Sequence, residues 1–118
     1  TQGWERIFDF GNGAQNSNLL LGRQGTTNNL YVESWTAGAV TSGSISIANA
    51  ITTGNWMHVT VTVNSSNLVT LYINGTAAGS YTANSAINYA GWTKNYIGAS
   101  NWGVDRQFRG AMDDIAIF

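Results

Sequence analysis

Alternation of apolar and polar residues in short runs, interrupted every few residues by glycine and asparagine clusters, limits this chain more than any other feature. The clearest run is Trp56-Met57-His58-Val59-Thr60-Val61-Thr62-Val63. A period of two puts Met57, Val59, Val61 and Val63 on one face and Trp56, His58, Thr60 and Thr62 on the other. Leu68 to Ile73 follows, then Asn74-Gly75, then Thr76 to Tyr81. Asn-Gly accepts the positive φ angles of a two-residue type I′ turn, so a hairpin is expected there. Further strands are expected at Trp4 to Phe10, Asn18 to Arg23, Asn29 to Trp35, Gly43 to Ala48, Asn95 to Ala99 and Gln107 to Phe118, the last broken at Gly110. No stretch carries helical periodicity. The fold class is therefore all-β, and about eight or nine strands at this spacing predict an antiparallel two-sheet sandwich or jelly roll.

Composition narrows the function classes. The chain has 118 residues and reads as one domain over 1–118, with no repeat and no linker. It has no cysteine, hence no disulfide framework and no thiolate metal site. Five cations against six anions supply no basic excess for phosphate, so nucleic acid is not an expected partner. No run approaches the roughly 20 apolar residues that span a bilayer, so membrane insertion is not expected either. Asparagine, threonine, serine and glycine occupy positions where lysine and glutamate usually sit, which suits turns, strands and neutral hydroxyl-bearing ligands.

Five segments, in order, resemble a known family: Trp4-Glu5-Arg6-Ile7-Phe8-Asp9-Phe10-Gly11-Asn12-Gly13, Trp56-Met57-His58-Val59-Thr60-Val61-Thr62, Leu71-Tyr72-Ile73-Asn74-Gly75-Thr76, Asn95-Tyr96-Ile97-Gly98-Ala99-Ser100, and Phe108-Arg109-Gly110-Ala111-Met112-Asp113-Asp114-Ile115-Ala116-Ile117-Phe118. Together they are similar to the laminin-G-like branch of the concanavalin A-like lectin/glucanase jelly rolls. The resemblance implies a sandwich whose concave face serves carbohydrate or protein ligands, in accessory modules of glycoside hydrolases, in adhesins and in virion surface proteins. An extracellular, cell-surface or virion-surface location is expected on that basis. Family members begin with a strand or two before the segment matching Trp4, so the domain is expected to be N-terminally incomplete relative to them. A neighbouring polypeptide segment, from upstream or from another chain, is expected to complete the sandwich edge.

Catalysis finds little support. Glycosidic cleavage needs two carboxylates facing one sugar, about 5 to 9.5 Å apart, and glucanase relatives carry three acids at alternating positions on one strand. Here Glu33 stands alone on its strand, and Asp113-Asp114 are adjacent, so they point to opposite faces. His58, the single histidine, lies mid-strand and is expected to pack or to hydrogen-bond. Gly11-Asn12-Gly13 lacks the lysine and helix that make a phosphate loop and reads as a turn. Relatives often hold Ca²⁺, which gathers six to eight oxygens; the resemblance makes Asp9 and Asp113 the metal candidates, while Asp114 on the terminal strand would need a partner such as Arg6, Arg23 or Arg109.

Neutral recognition fits better. Sugars present apolar C–H faces and a rim of hydroxyls, so their sites pair an aromatic plate with amide, carboxylate or guanidinium groups. Trp35 ends a strand, and Trp92 and Trp102 sit in Gly- and Asn-rich loops, with Asn101, Asp105 and Arg23 as expected polar partners. Trp4 and Trp56 are expected to be structural. The sequons Asn64-Ser65-Ser66 and Asn74-Gly75-Thr76 both fall in expected turns, where an Asn-, Ser- and Thr-rich chain produces such triplets by chance. The expectation is a non-catalytic, lectin-like carbohydrate-recognition module of a larger surface protein; the alternative is a structural or adhesion module making protein–protein contacts.

Overall fold

The computed structural model describes residues 3–87 and 89–118. Eight strands follow one another: β1 (Arg6–Gly11), β2 (Leu19–Arg23), β3 (Leu30–Trp35), β4 (Thr41–Ile47), β5 (Val59–Val63), β6 (Leu68–Ile73), β7 (Thr76–Thr82) and β8 (Lys94–Ile97), with a 3₁₀ turn at Tyr89–Gly91 before the last. They form two antiparallel sheets, β4-β3-β2-β1-β8 and β5-β6-β7. The architecture is the expected all-β sandwich of jelly-roll type.

Side-chain alternation explains why the sheets face each other. Leu19, Leu21, Leu30 and Val32 from the larger sheet meet Val69 and Leu71 from the smaller one, all buried. Each such side chain contributes about 1.5–3 kcal/mol through removal from water. Ile45, Ile47, Val59, Val61, Val63 and Tyr81 pack around them, half-buried. The sheets come closest where β4 meets β7. There Gly43 lies under the ring of Tyr81, and a Cβ at position 43 would run into that ring. The Tyr81 hydroxyl donates to Ser34 Oγ at 2.9 Å, tying the smaller sheet to β3.

The hairpin at Asn74-Gly75 forms as expected: Ile73 pairs with Thr76, and Asn74 and Gly75 have φ of 50° and 81°. Other boundaries move. Trp4 has φ 62°, so β1 starts at Arg6 instead of Trp4. In the clearest run only Val59–Val63 is strand, because His58 turns its backbone to Asn74 at the hairpin end. The largest correction concerns Gln107 to Phe118. It alternates like a strand but forms none: Phe108 N–H bonds to Gly98 C=O at 2.8 Å, and from Ile115 to Phe118 every residue is exposed. Alternation supplies a face, but a strand also needs a neighbour for its backbone, and beyond the Phe108 bond to Gly98 no strand pairs with this segment among the described residues.

Candidate functional site

The larger sheet has a second face, turned away from the smaller sheet, and the chemistry gathers there. A bulge in β1 between Arg6 and Phe8 places Arg6 and Asp9 on that same outer face. Pairing then runs Asp9 to Leu20 to Glu33 to Ser44 across the sheet, and Arg6 to Gly22 to Tyr31 to Ser46 beside it. The outward residues of β3 are therefore Tyr31, Glu33 and Trp35.

A loop from Gly98 to Arg106 folds over one end of this face, held by a buried carboxylate. Asp9 is fully buried, and its oxygens accept from Asn18 Nδ2 at 3.1 Å, Asn101 N at 2.9 Å and Asn101 Nδ2 at 2.8 Å. Arg6, itself 4% exposed, lies 3.7 Å from Asp9 and 3.0 Å from Asp105. Ser100 donates to Asp105 at 2.8 Å and stands 3.4 Å from Asp9. The Arg6 guanidinium lies between two indoles, 5.8 Å from the Trp4 ring centre and 5.5 Å from that of Trp102. Trp102 leans in turn on Trp35, 5.8 Å away. The network thus spends its hydrogen bonds on placing Trp102.

What remains partly accessible on β3 is Glu33 and Trp35, with Tyr31 buried beside them. Glu33 is half-buried between Tyr31 and Trp35, with Ser44 opposite. Trp4 meets Tyr31 edge-on at 5.6 Å, so aromatic walls stand at both ends of the Glu33 carboxylate. Burial pushes the Tyr31 phenol up to about 12, and the Glu33 charge adds to the push. Tyr31 therefore remains a neutral donor at physiological pH. No cation pairs with Glu33 among the described residues. The Trp35 indole N–H is buried without an acceptor.

The expected residues divide. Trp35, Trp102, Asn101 and Asp105 do come together, although Asn101 and Asp105 face inward into the network. Trp92 lies elsewhere: its N–H bonds to Ser17 C=O at 2.7 Å, and its ring packs between Phe10 and Tyr89. Arg23 is also elsewhere, paired with Glu5 at 3.4 Å and bonded to the carbonyls of Thr26 and Thr27. Arg6 occupies the place expected for Arg23; the bulge that turns Arg6 outward carries no signal in the sequence. Glu33 and Tyr31 belong to the site for a legible reason, since alternation already placed them on the face of Trp35.

The two metal candidates are not brought together. Asp9 is ringed by N–H donors, the opposite of the oxygens a hard cation gathers. Asp113 is exposed, and its Oδ1 accepts the Asp114 N–H at 2.8 Å. Asp114 is exposed too, with no arginine partner among the described residues. No group of three or more His, Cys, Asp or Glu side chains able to hold a metal occurs among the described residues. Trp56, expected to be structural, is 73% exposed beside a shallow cleft of about 200 Å³ lined in part by Thr52, Asn55 and Asn74.

No curated protein matches the chain. Among solved structures it is similar to a crystal structure of an S-layer domain-containing protein (residues 221–444) from Clostridium thermocellum, with 29% identity and a TM-score of 0.48. That match covers 100% of this chain, which spans 58% of the length of the other. The family model described as "Concanavalin A-like lectin/glucanases superfamily" matches residues 1–118. With its two antiparallel sheets and the ordered segments from Trp4 to Phe118, the chain belongs to the concanavalin A-like lectin/glucanase superfamily, in its laminin-G-like branch.

Proposed function

We propose that this domain is a non-catalytic carbohydrate-recognition module of an extracellular or surface protein, and that it binds sugar on the outer face of the larger sheet. The observation that carries the reading is Glu33: an accessible carboxylate without a cation, set between Tyr31 and Trp35 and walled by Trp4 and Trp102. Indole faces stack on the C–H surface of a sugar ring, while the carboxylate and the Ser44 hydroxyl receive its hydroxyl groups. A lone negative charge at this position favours neutral over acidic sugars.

Glycoside hydrolysis is disfavoured by the same geometry. Asp9 lies in the Glu33 row two strands away, about 10 Å by strand spacing, but it is fully buried and its oxygens are taken by N–H donors. It can neither receive nor deliver a proton to a sugar. The alternative, a structural or adhesion module, draws on a different observation, the unpaired edge of β5.

An array of neutral and acidic glycans, followed by titration of the best binder, tests the reading. Glu33→Gln removes a charge-assisted hydrogen bond worth about 1.5–3 kcal/mol, so affinity falls about ten- to hundredfold while the melt is unchanged. Trp102→Ala, checked for folding, weakens binding as well. Failure of folded protein to bind any glycan, or binding that ignores Glu33→Gln, overturns the proposal.

A further inference from the structure

The smaller sheet ends in β5, which pairs with β6 on one side and, among the described residues, with no strand on the other. Its backbone orientation follows from its ends. Asn74 N–H bonds to His58 C=O at 2.8 Å, and Asn64 N–H bonds to Leu68 C=O at 3.1 Å. Even-numbered residues therefore turn their polar backbone groups toward β6, and by the alternation of an antiparallel ladder those of Val59, Val61 and Val63 point to the open side. No partner for these groups occurs among the described residues. The three valine side chains face the core yet remain only half-buried.

Edges of this kind are normally protected by charge, proline or a bulge. This one is not. No Asp, Glu, Lys or Arg occurs between Glu33 and Lys94, and the chain has no proline. The strand itself, Val59-Thr60-Val61-Thr62-Val63, reads the same in both directions.

We propose that β5 is a homodimerisation edge: two copies of this chain pair β5 antiparallel about a two-fold axis through Val61, making one continuous six-stranded sheet. Only an antiparallel two-fold pairing uses the palindrome. Val61 exchanges both backbone bonds with its equivalent, and Val59 does so with Val63 of the second copy. Valine then lies opposite valine on the core side. Thr60 lies opposite Thr62 on the outer side, a favourable cross-strand pair. The second copy is favoured as occupant because the palindrome sets like residues opposite each other in one two-fold register, and neither strand carries a charge to oppose the contact. The inference is independent of the sugar site, which lies on the other sheet.

Light scattering after size exclusion, across a concentration series of the 118-residue chain, reads the outcome. The expected mass is twice 12.6 kDa at high concentration, falling to 12.6 kDa on dilution. The double variant Thr60→Lys/Thr62→Lys sets lysine against lysine at both outer pairs and weakens association at least about tenfold. Thr60→Lys/Thr62→Glu, with equal perturbation of the monomer, sets lysine against glutamate in the same register and restores it. Circular dichroism melts confirm that both variants fold. A wild-type mass of 12.6 kDa at every concentration, larger oligomers through other edges, or equal behaviour of the two variants each overturns the proposal.

Discussion

The two sheets are held by different means. The larger one and its overlying loop use charge: Arg6 with Asp9 and Asp105, and Arg23 with Glu5. The smaller one contains no charged side chain, from Val59 in β5 to Thr82 in β7, and relies on its ladders and on Val69 and Leu71 in the core. The difference follows from what each must do. A loop laid across the outside of a sheet is fixed by directional bonds, and buried Asp9 serves four donors from three residues at once. A sheet whose inner face is already covered needs no such device, and it leaves its edges chemically bare.

Breaking the charged half produces the largest effect. Asp9→Ala leaves Arg6 with Asp105 as its one carboxylate partner, takes the acceptor of the Asn101 N–H, and leaves the Asn18 and Asn101 amides only their backbone acceptors. Urea unfolding is expected to show a loss of about 3–5 kcal/mol, the range for removing one member of a buried pair. Asp113→Ala, exposed and without an ion pair, leaves the urea midpoint in place. Equal effects from both would show that the network does not organise the loop.

Raising pH tests a bond between the halves. The Tyr31 and Tyr81 phenols are both pushed up to about 12, by burial first. In the unfolded chain they ionise near 10, so above that pH the folded state binds more protons than the unfolded one. Their contribution is intact below about pH 10 and drains away as pH rises to about 12. Tyr81→Phe lessens that alkaline loss, at the cost at neutral pH of the bond to Ser34, about 1 kcal/mol. Glu33→Gln lowers the Tyr31 pKa in a spectrophotometric titration, because the Glu33 charge is its second cause. No movement of Tyr31 in that variant would separate Glu33 from the phenol and weaken the proposed sugar site.

The fold was readable where local chemistry and tertiary context agree. Asn74-Gly75 demands a tight hairpin in any setting, and the Val59 to Val63 alternation fits only a half-buried strand. The candidate site was readable in part. Trp92 and Trp102 occupy similar Gly- and Asn-rich loops, yet one ring plugs the space against Phe10 and the other roofs the outer face. What separates them is Asp9, ninety-odd residues earlier in the chain, which bonds Asn101 and not the Trp92 loop. Such long-range pairing leaves no local mark. Arg6 and Arg23 were exchanged for the same reason: a bulge in β1 decides which face an arginine meets.

The segment from Arg109 to Phe118 gives the smallest effect and the sharpest test of the comparison, because it carries Arg109, Asp113 and Asp114 and yet makes no ion pair and no strand pairing among the described residues. Charge organises a loop only where a buried group receives it. Hydrogen exchange should therefore show the Asn101 amide, donated to buried Asp9, strongly protected, and the amides from Ile115 to Phe118 exchanging near the unfolded rate. The apolar alternation of Ile115 and Ile117 makes the opposite result informative. Protection there would mean that this segment has found a strand to pair with. If that protection grew with protein concentration, the neutral half of the molecule would supply the partner, and edge pairing would extend beyond β5.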